Sequence, residues 1–168
     1  RGEFVQGACR WVLAKPCDAW HHVERVDFQC AEAPACPICL DDPSVPRLSE
    51  CGHAFCLLCA LRHLETSKTC PVCTAQLCRD DLRPVHFEVT QPPDIGSVCH
   101  FRLVRREGQR LGPAAMGHIG RAPGFTREGD PGWQFARRVL ADPGRRLDRL
   151  HAELRELERE LEAGGDLV

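Results

Sequence analysis

Three features of the sequence predict a small α+β fold stabilised by metal ions. Seven cysteines and one histidine form four closely spaced pairs between residues 36 and 73, leucines recur at helical spacing after the third pair, and alternating apolar segments flank the cluster. A chain of fewer than about 40 residues rarely holds a core without help, so the cluster needs metal to fold. We therefore expect a zinc-stabilised module, a small antiparallel β element beside it and a C-terminal amphipathic helix.

The metal-ligand pattern is C-x2-C-x11-C-x-H-x2-C-x2-C-x10-C-x2-C. Eight soft ligands make two tetrahedral zinc sites, and four protein ligands per ion leave no open position for water, so both ions are expected to be structural. The ligands are Cys36, Cys39, Cys51, His53, Cys56, Cys59, Cys70 and Cys73. Spacing alone leaves two pairings open. Either neighbouring pairs share one ion, or the first pair joins the third and the second joins the fourth.

Residues 1–35 predict an N-terminal flank with a strand and a short helix. The strand covers residues 10–14, Asp18 is the candidate helix cap, and Val26 and Phe28 alternate in an extended segment. Four residues of this flank could be considered for a third metal site, but their spacings fit no common site, and satisfied or exposed side chains are the default. They are Cys17, His21, His22 and Cys30.

The rest of the chain divides into four predicted segments. Residues 36–74 form the zinc module, with a helix after Cys56 and a loop over 40–50. Residues 75–111 predict a β-hairpin in which 85–89 pairs with 98–105. Residues 112–141, rich in Gly and Pro and without periodicity, predict an irregular connection.

Residues 142–163 predict a C-terminal helix that begins with Asp142 as N-cap and Pro143 in the first position. Its leucines repeat at alternating steps of three and four, which is an a/d seam of about two heptads. Two heptads are short for an independent coiled coil. We expect a helix that docks on this domain or on a partner helix, with a free amphipathic tail as the alternative.

Composition limits the partners and the cellular compartment that the chain is expected to have. Its 168 residues carry a net charge of −2, which argues against a chain-wide nucleic-acid footprint, although eleven arginines between residues 100 and 149 leave a local basic face open. Five of the twelve cysteines lie outside the ligand pattern at irregular spacings, so we expect a reducing compartment. No apolar run reaches the roughly 20 residues of a membrane span. These features predict a soluble cytoplasmic protein, with the nucleus as the alternative.

The tripeptide and tetrapeptide motifs around the ligands resemble those of the C3HC4 RING finger. They are Cys36-Pro37-Ile38-Cys39, Cys51-Gly52-His53 and Cys70-Pro71-Val72-Cys73. The resemblance implies the crossed pairing, called the cross-brace, and a shallow groove for an E2 ubiquitin-conjugating enzyme. Carried onto this chain, the groove residues are Ile38, Leu58, His63, Pro71 and Val72.

The flanks are similar to those of the RING finger protein ten family, in 4–13, in 81–85, in 101–107 and in the spacing of Trp20, Val23 and Val26. The leucine-rich C-terminal helix also resembles one in that family. This resemblance implies an E3 ubiquitin ligase that acts on small ribosomal subunit proteins, with the face from Arg102 to Arg110 or the C-terminal helix engaging the ribosome. Its partners would be an E2 enzyme and ubiquitin, and no residue of the chain would itself be catalytic. Cys78 and Cys99 lack the base or cationic setting that activates a nucleophilic thiol.

Two positions depart from the RING pattern. His63 stands where many RING fingers have a large apolar residue, and Thr74 stands where many active ones have an arginine that bridges E2 and ubiquitin. A zinc-dependent interaction module without ligase activity is therefore the alternative function. Direct RNA binding is a third hypothesis, which the negative net charge and the lack of aromatic residues between the arginines weaken.

Overall fold

A computed structural model describes residues 9–17, 19–91, 93–99, 104–107, 110–113, 126–130, 133 and 136–162. The chain divides into two compact units. The sheet unit comprises Arg1–Ala33 and His86–Ala141, and the cysteine unit comprises Pro34–Val85 and Asp142–Val168. No helix within the described ranges is long and apolar enough to cross a membrane.

In chain order, the described helices and strands are β1 Cys9–Leu13, β2 Val23–Cys30, β3 Arg47–Leu48, β4 Ala54–Phe55, α1 Leu57–Thr66, β5 Arg83–Val89, β6 Val104–Glu107, β7 Arg110–Pro113, β8 Thr126–Arg127, β9 Arg138–Leu140 and α2 Pro143–Glu162. Two 3₁₀ turns span Trp20–His22 and Arg79–Asp81.

The sheet unit is built on an antiparallel pair formed by β1 and β2, in register from Cys9 opposite Phe28 to Leu13 opposite Val23. Apolar residues of both strands point into the core, and Val12 and Val26 are fully buried. These strands confirm the predicted strand near residues 10–14 and the extended segment before the zinc module. The expected helix is a single 3₁₀ turn, and Asp18, its candidate cap, lies outside the described residues.

The other edge of β1 pairs in parallel with β9, and β8 in turn pairs in parallel with β9. The segment 112–141 therefore differs from the irregular connection expected from its Gly and Pro content. Apolar residues within it, Ala136 and Val139, pack against Val12 of β1. Burial of these side chains offsets the entropy of ordering a segment that has no local periodicity.

The predicted hairpin between 85–89 and 98–105 is wrong. The end of its expected second strand, in β6, instead pairs with β7, and residues 100–103 lie outside the described residues. Within the sheet unit, the side chain of Gln29 donates a hydrogen bond of 3.1 Å to Glu88, and the rings of Phe28 and Phe87 meet edge to face at 6.1 Å. These contacts between segments about 60 residues apart are non-local, so the alternation of β5 predicted its strand character but not its partner.

A buried ion-pair network ties β2 to the residues after β8. The guanidinium of Arg25 donates to Asp27 and, at 2.6 Å, to Glu128, and Arg10 lies 3.5 Å from Asp27. Both acids are only 6% exposed. Breaking a buried pair by removing one partner costs about 3–5 kcal/mol because it leaves an uncompensated charge. The network therefore fixes residues 126–130 beside the sheet.

The cysteine unit has a short meander and one central helix. Strand β3 pairs antiparallel with β4 and with the beginning of β5. Helix α1 confirms the leucine periodicity, and Leu64 packs with Phe55, Leu77 and Leu82 in a small core. Because so few apolar residues are buried here, this core cannot account for the fold without the ligand clusters that adjoin it.

Helix α2 begins as the sequence predicted, since the carboxylate of Asp142 accepts a hydrogen bond of 3.1 Å from the backbone N–H of Arg145. The helix docks on the loop and strand at residues 44–47 of the same unit. Arg47 forms an ion pair of 2.7 Å with Glu153, while Glu156 accepts hydrogen bonds from the Ser44 hydroxyl and the Val45 backbone N–H. The expected docking thus occurs, but glutamates make these contacts and the leucine seam does not.

Candidate metal centre

The eight predicted ligands gather in two groups of four, in which all ligand atoms lie within 4.8 Å of one another. One group contains Cys36, Cys39, Cys56 and Cys59, and the other contains Cys51, His53, Cys70 and Cys73. The first pair of ligands therefore joins the third, and the second joins the fourth. This geometry confirms the crossed pairing and excludes the sequential one.

The separations of the ligand atoms fit tetrahedral zinc. A Zn–S bond of about 2.3 Å gives a tetrahedral edge of about 3.8 Å between sulfurs, and a sulfur–nitrogen edge is slightly shorter. The sulfurs of Cys39 and Cys56 lie 3.7 Å apart, and Nδ1 of His53 lies 3.4 Å from the sulfur of Cys51 and 3.5 Å from that of Cys70. Each group thus has the chemistry and the size of a structural zinc site, with His53 presenting Nδ1.

The first and last ligand pairs lie on two separate backbone turns that have the same conformation. The backbone N–H of Cys36 donates a hydrogen bond to the carbonyl of Asp41, and the carbonyl of Cys36 accepts one from the N–H of Leu40. At Cys70, the equivalent bonds run to the residues five and four positions later. In both turns the fourth residue after the cysteine has a positive φ, 68° for Leu40 and 61° for Thr74. Such strain, of order 1 kcal/mol or more per residue, persists only where the surroundings enforce it, and metal ligation by the turn supplies that constraint.

The middle pairs are placed by a glycine and by α1. Gly52, between Cys51 and His53, has φ of 92°, which suits a residue without a side chain. Cys56 precedes α1 and Cys59 lies in its first turn, so the helix holds both sulfurs on one side. The N-terminus of α1 is itself tied to the loop before β3, because the N–H of Leu57 bonds to the carbonyl of Ser44.

The thiols differ in how readily they ionise. Burial opposes ionisation of Cys36, but backbone N–H groups of Cys39, Cys56 and Ile38 donate to its sulfur and lower its pKa to about 7. Burial, together with the neighbouring sulfur of Cys36, raises the pKa of Cys59 to about 11. Zinc binds thiolates, so metal binding must displace protons from the less acidic cysteines of each group.

Ser49 adjoins the second group and was missed by sequence reasoning. It is 1% exposed, its hydroxyl donates to the carbonyl of His53 at 2.8 Å, and its oxygen lies 3.0 Å from the sulfur of Cys51. A thiolate at Cys51 can only accept, so the single Ser49 proton is then shared between that sulfur and the carbonyl of His53. Outer hydrogen bonds of this kind orient metal ligands, but a serine two residues before a cysteine carries no distinctive sequence signal.

The remaining cysteines do not form a third centre. Within the described residues, the two groups above are the ones whose geometry could hold a metal ion, and neither Cys17 nor Cys30 belongs to them. Cys9 is buried, which raises its pKa. Cys78 is half-buried and Cys99 is exposed.

The predicted groove residues differ in exposure. Ile38 and Val72 occupy equivalent positions in the repeated turn and are 38% and 49% exposed, and Pro71 is exposed as well. Leu58 and His63 on α1 are half-buried. The ring nitrogen Nε2 of His63 lies 2.7 Å from the carbonyl of Thr69 and donates to it, which ties α1 to the segment before Cys70.

Comparison with known proteins agrees with this geometry. Residues 36–73 match the model of the C3HC4-type zinc finger, the RING finger. The chain is 31% identical over 114 residues to the uncharacterized RING finger protein P8B7.23 of Schizosaccharomyces pombe, covering 53% of this chain and 16% of that protein. It is 42% identical over 86 residues to the postreplication repair E3 ubiquitin-protein ligase RAD18 of Eremothecium gossypii, covering 50% and 18%.

The human E3 ubiquitin-protein ligase RNF5 is 33% identical over 100 residues, which cover 58% of this chain and 51% of RNF5. The chain thus spans about half or less of the length of these relatives. The family match and the two crossed groups together show that residues 36–73 form a C3HC4 RING finger with two zinc sites.

We expect the purified chain to hold two zinc ions at neutral pH and to lose them as the pH falls. Acid protonates the thiolates and the imidazole that bind the metal, so protons compete with zinc, and the affinity decreases toward low pH. Zinc released to a colorimetric chelator at successive pH values, with circular dichroism of α1 followed in parallel, measures this. Retention of both ions and of the helix at about pH 4, below the usual range of neutral imidazole, would contradict the assignment.

Replacing Ser49 by alanine should weaken zinc binding at the site that contains Cys51 by about 10 to 100-fold, because the thiolate loses its hydroxyl donor. Competition with a chelator of known affinity resolves the two sites. Ser97→Ala, in an exposed segment outside the RING finger, is the matched control and should leave both affinities unchanged. Equal affinities in the two variants would show that Ser49 only packs.

Proposed function

We propose that this chain is a RING-type E3 ubiquitin ligase that binds an E2 enzyme carrying a ubiquitin thioester and promotes transfer to substrate lysines. The observation that carries the proposal is the repeated zinc turn, which presents an apolar side chain to solvent at the same position twice, Ile38 and Val72. Exposed apolar residues held on rigid metal turns suit the recognition of another protein. Two relatives, RAD18 and RNF5, are named E3 ubiquitin-protein ligases.

In this function the chain positions the E2-bound ubiquitin thioester and forms no covalent bond to ubiquitin itself. Both zinc sites have four protein ligands, so the ions hold the turns in place and offer no site for a nucleophile. The proposed E2 surface comprises Ile38, Leu58, His63, Pro71 and Val72. Holding the thioester in an orientation ready for attack lowers the entropy cost of the reaction, which is catalysis by proximity.

A finer proposal concerns the substrate. The flanks of the RING finger resemble the RING finger protein ten family, and we infer from them that the lysines belong to small ribosomal subunit proteins in the cytoplasm. The same resemblance assigns ribosome contact to the face from Arg102 to Arg110 or to α2. Arg102 lies outside the described residues, whereas α2 is described and docks on the cysteine unit.

An interaction module without ligase activity is the alternative, and Thr74 favours it. This residue ends the second zinc turn at φ of 61°, and its hydroxyl bonds to the adjacent carbonyl of Cys73. A threonine cannot reach across to ubiquitin as the arginine of many active RING fingers does. Weak transfer activity despite E2 binding is the behaviour that this alternative implies.

The ligase proposal is tested by single-turnover discharge of a ubiquitin-loaded E2 onto free lysine. The chain should accelerate discharge, and Ile38→Ala should reduce the acceleration about tenfold or more, since it removes apolar groups worth roughly 2 kcal/mol when buried against a partner. Ile95→Ala is the matched control, because Ile95 is a fully exposed isoleucine outside the RING finger.

If the chain, with two zinc ions bound and its fold intact, accelerates discharge of none of several E2 enzymes, the ligase proposal is overturned. The interaction module is then the function that remains. Equal activity of Ile38→Ala and Ile95→Ala would instead remove the proposed E2 surface while keeping the ligase. The two parts of the proposal therefore fail in different ways.

The substrate proposal is tested with purified ribosomal subunits in a reconstituted reaction containing E1, E2 and ubiquitin. We expect ubiquitin on small-subunit proteins and none above background on large subunits at equal concentration, because recognition of a specific surface raises the effective concentration of its lysines. Mass spectrometry of the modified bands identifies the lysines. Activity on free lysine with no preference for small subunits would overturn the ribosomal assignment alone.

A further inference from the structure

Helix α2 has two separate faces. Glu153 and Glu156 lie on the face that contacts residues 44–47, through Arg47 and Ser44. The leucine stripe is centred roughly 100° around the axis from the midpoint of the two glutamates, with Glu153 at the edge of the stripe, as the 3.6-residue repeat requires. Docking through the glutamates therefore leaves the leucine face uncovered by the loop and strand that α2 contacts.

The leucine seam consists of Leu147, Leu150, Leu154, Leu157 and Leu161. Four of its members are between 46% and 58% exposed, and Leu157, nearest the glutamate face, is half-buried. Steps of three and four place all five in one stripe, at the a and d positions of two heptads. A continuous stripe of this kind on a folded chain marks an interaction surface, and its spacing suits another helix with the same repeat.

The charges of α2 indicate what that helix is. Residues 143–152 carry three arginines and one aspartate, while residues 153–162 carry five glutamates and two arginines. This order opposes the helix dipole, whose N-terminal end is positive and favours acids; the first turn has none. In an antiparallel pair, the glutamates of the second α2 would lie beside the arginines of the first. The two helix dipoles would also point in opposite directions, which is favourable.

A parallel pair does not have this complementarity. With leucines at a and d, the flanking g and e positions of parallel helices face each other, which sets Glu153 beside Glu158 of the second copy. In an antiparallel pair the g positions face each other. Arg146 then meets Glu160 of the second copy, and the two-fold axis repeats the contact. Glu153 meets its counterpart once, on the axis, where Arg47 of its own copy neutralises it.

We propose that α2 pairs with α2 of a second copy of this chain, antiparallel, through the leucine seam, to give a symmetric dimer. The same surface is used on both copies, so the assembly closes at two and does not extend into a filament. The glutamate face of each helix keeps its contact with its own cysteine unit. Dimerisation is independent of the ligase proposal and holds whatever the RING finger binds.

Sedimentation equilibrium of the zinc-loaded chain, from sub-micromolar concentration to about 100 μM, tests the pairing. We expect the mass to rise from 18.8 kDa toward twice that value. Leu154→Glu, which buries a charge in the seam, should weaken the dimer at least about 100-fold. Ala152→Glu adds the same charge at an exposed position off the seam and should leave the dissociation constant unchanged.

A monomer throughout this range would overturn the proposal, and the partner of the seam would then be a different protein. Equal weakening of the dimer by Leu154→Glu and Ala152→Glu would also overturn it. Zinc content and circular dichroism, expected to match the parent in every variant, verify that the exposed substitutions keep the fold.

Orientation is tested by charge reversal. Arg146→Glu and Glu160→Arg should each weaken the homodimer, because like charges then face each other twice. An equimolar mixture of the two variants should regain the parent affinity, since each new charge meets an opposite one in the mixed dimer. No gain on mixing would exclude the antiparallel arrangement.

Discussion

The crossed ligation of two zinc ions is the constraint on which the cysteine unit depends. Each ion joins chain segments that are about 20 residues apart, and the segment between the two halves of one site supplies ligands to the other. The buried apolar core around Phe55 and Leu64 is small, whereas a structural zinc contributes on the order of 10 kcal/mol or more of apparent folding free energy at neutral pH. The order of the segments in space is therefore set by ligand chemistry more than by hydrophobic burial.

The same constraint explains the exposed apolar side chains. In each zinc turn the two cysteines point inward to one ion, and the residues between them have no core to enter. Ile38 and Val72 are consequently held outward on backbone that carries the strain of a positive φ two residues later, at Leu40 and Thr74. Metal ligation, which a module of about 40 residues needs for stability, thus also produces a rigid apolar surface.

The zinc module could be predicted from sequence because its determinants are local: ligand type, spacing and the leucine repeat of α1. The N-cap at Asp142 was predictable for the same reason. The partners of β5 and the parallel pairing of β1 with β9 were not, since strand pairing depends on packing between segments far apart in the chain. Ser49 was also missed, because burial next to Cys51 distinguishes it from other serines and burial is a property of the fold.

The apolar pattern of α2 predicted that the helix forms but did not predict which of its residues make the contacts. The leucine repeat suggested that leucines would dock the helix, yet the contacts to residues 44–47 come from Glu153 and Glu156. Ionic and hydrogen-bonded contacts at a half-buried site contribute only about 1 kcal/mol each. The order of charges along α2 meanwhile opposes its dipole, and most of a helix's stability in proteins comes from packing of its amphipathic face. A further contact through the leucine seam would therefore stabilise α2 beyond what its glutamates provide, and this seam is the apolar face that such a contact would bury.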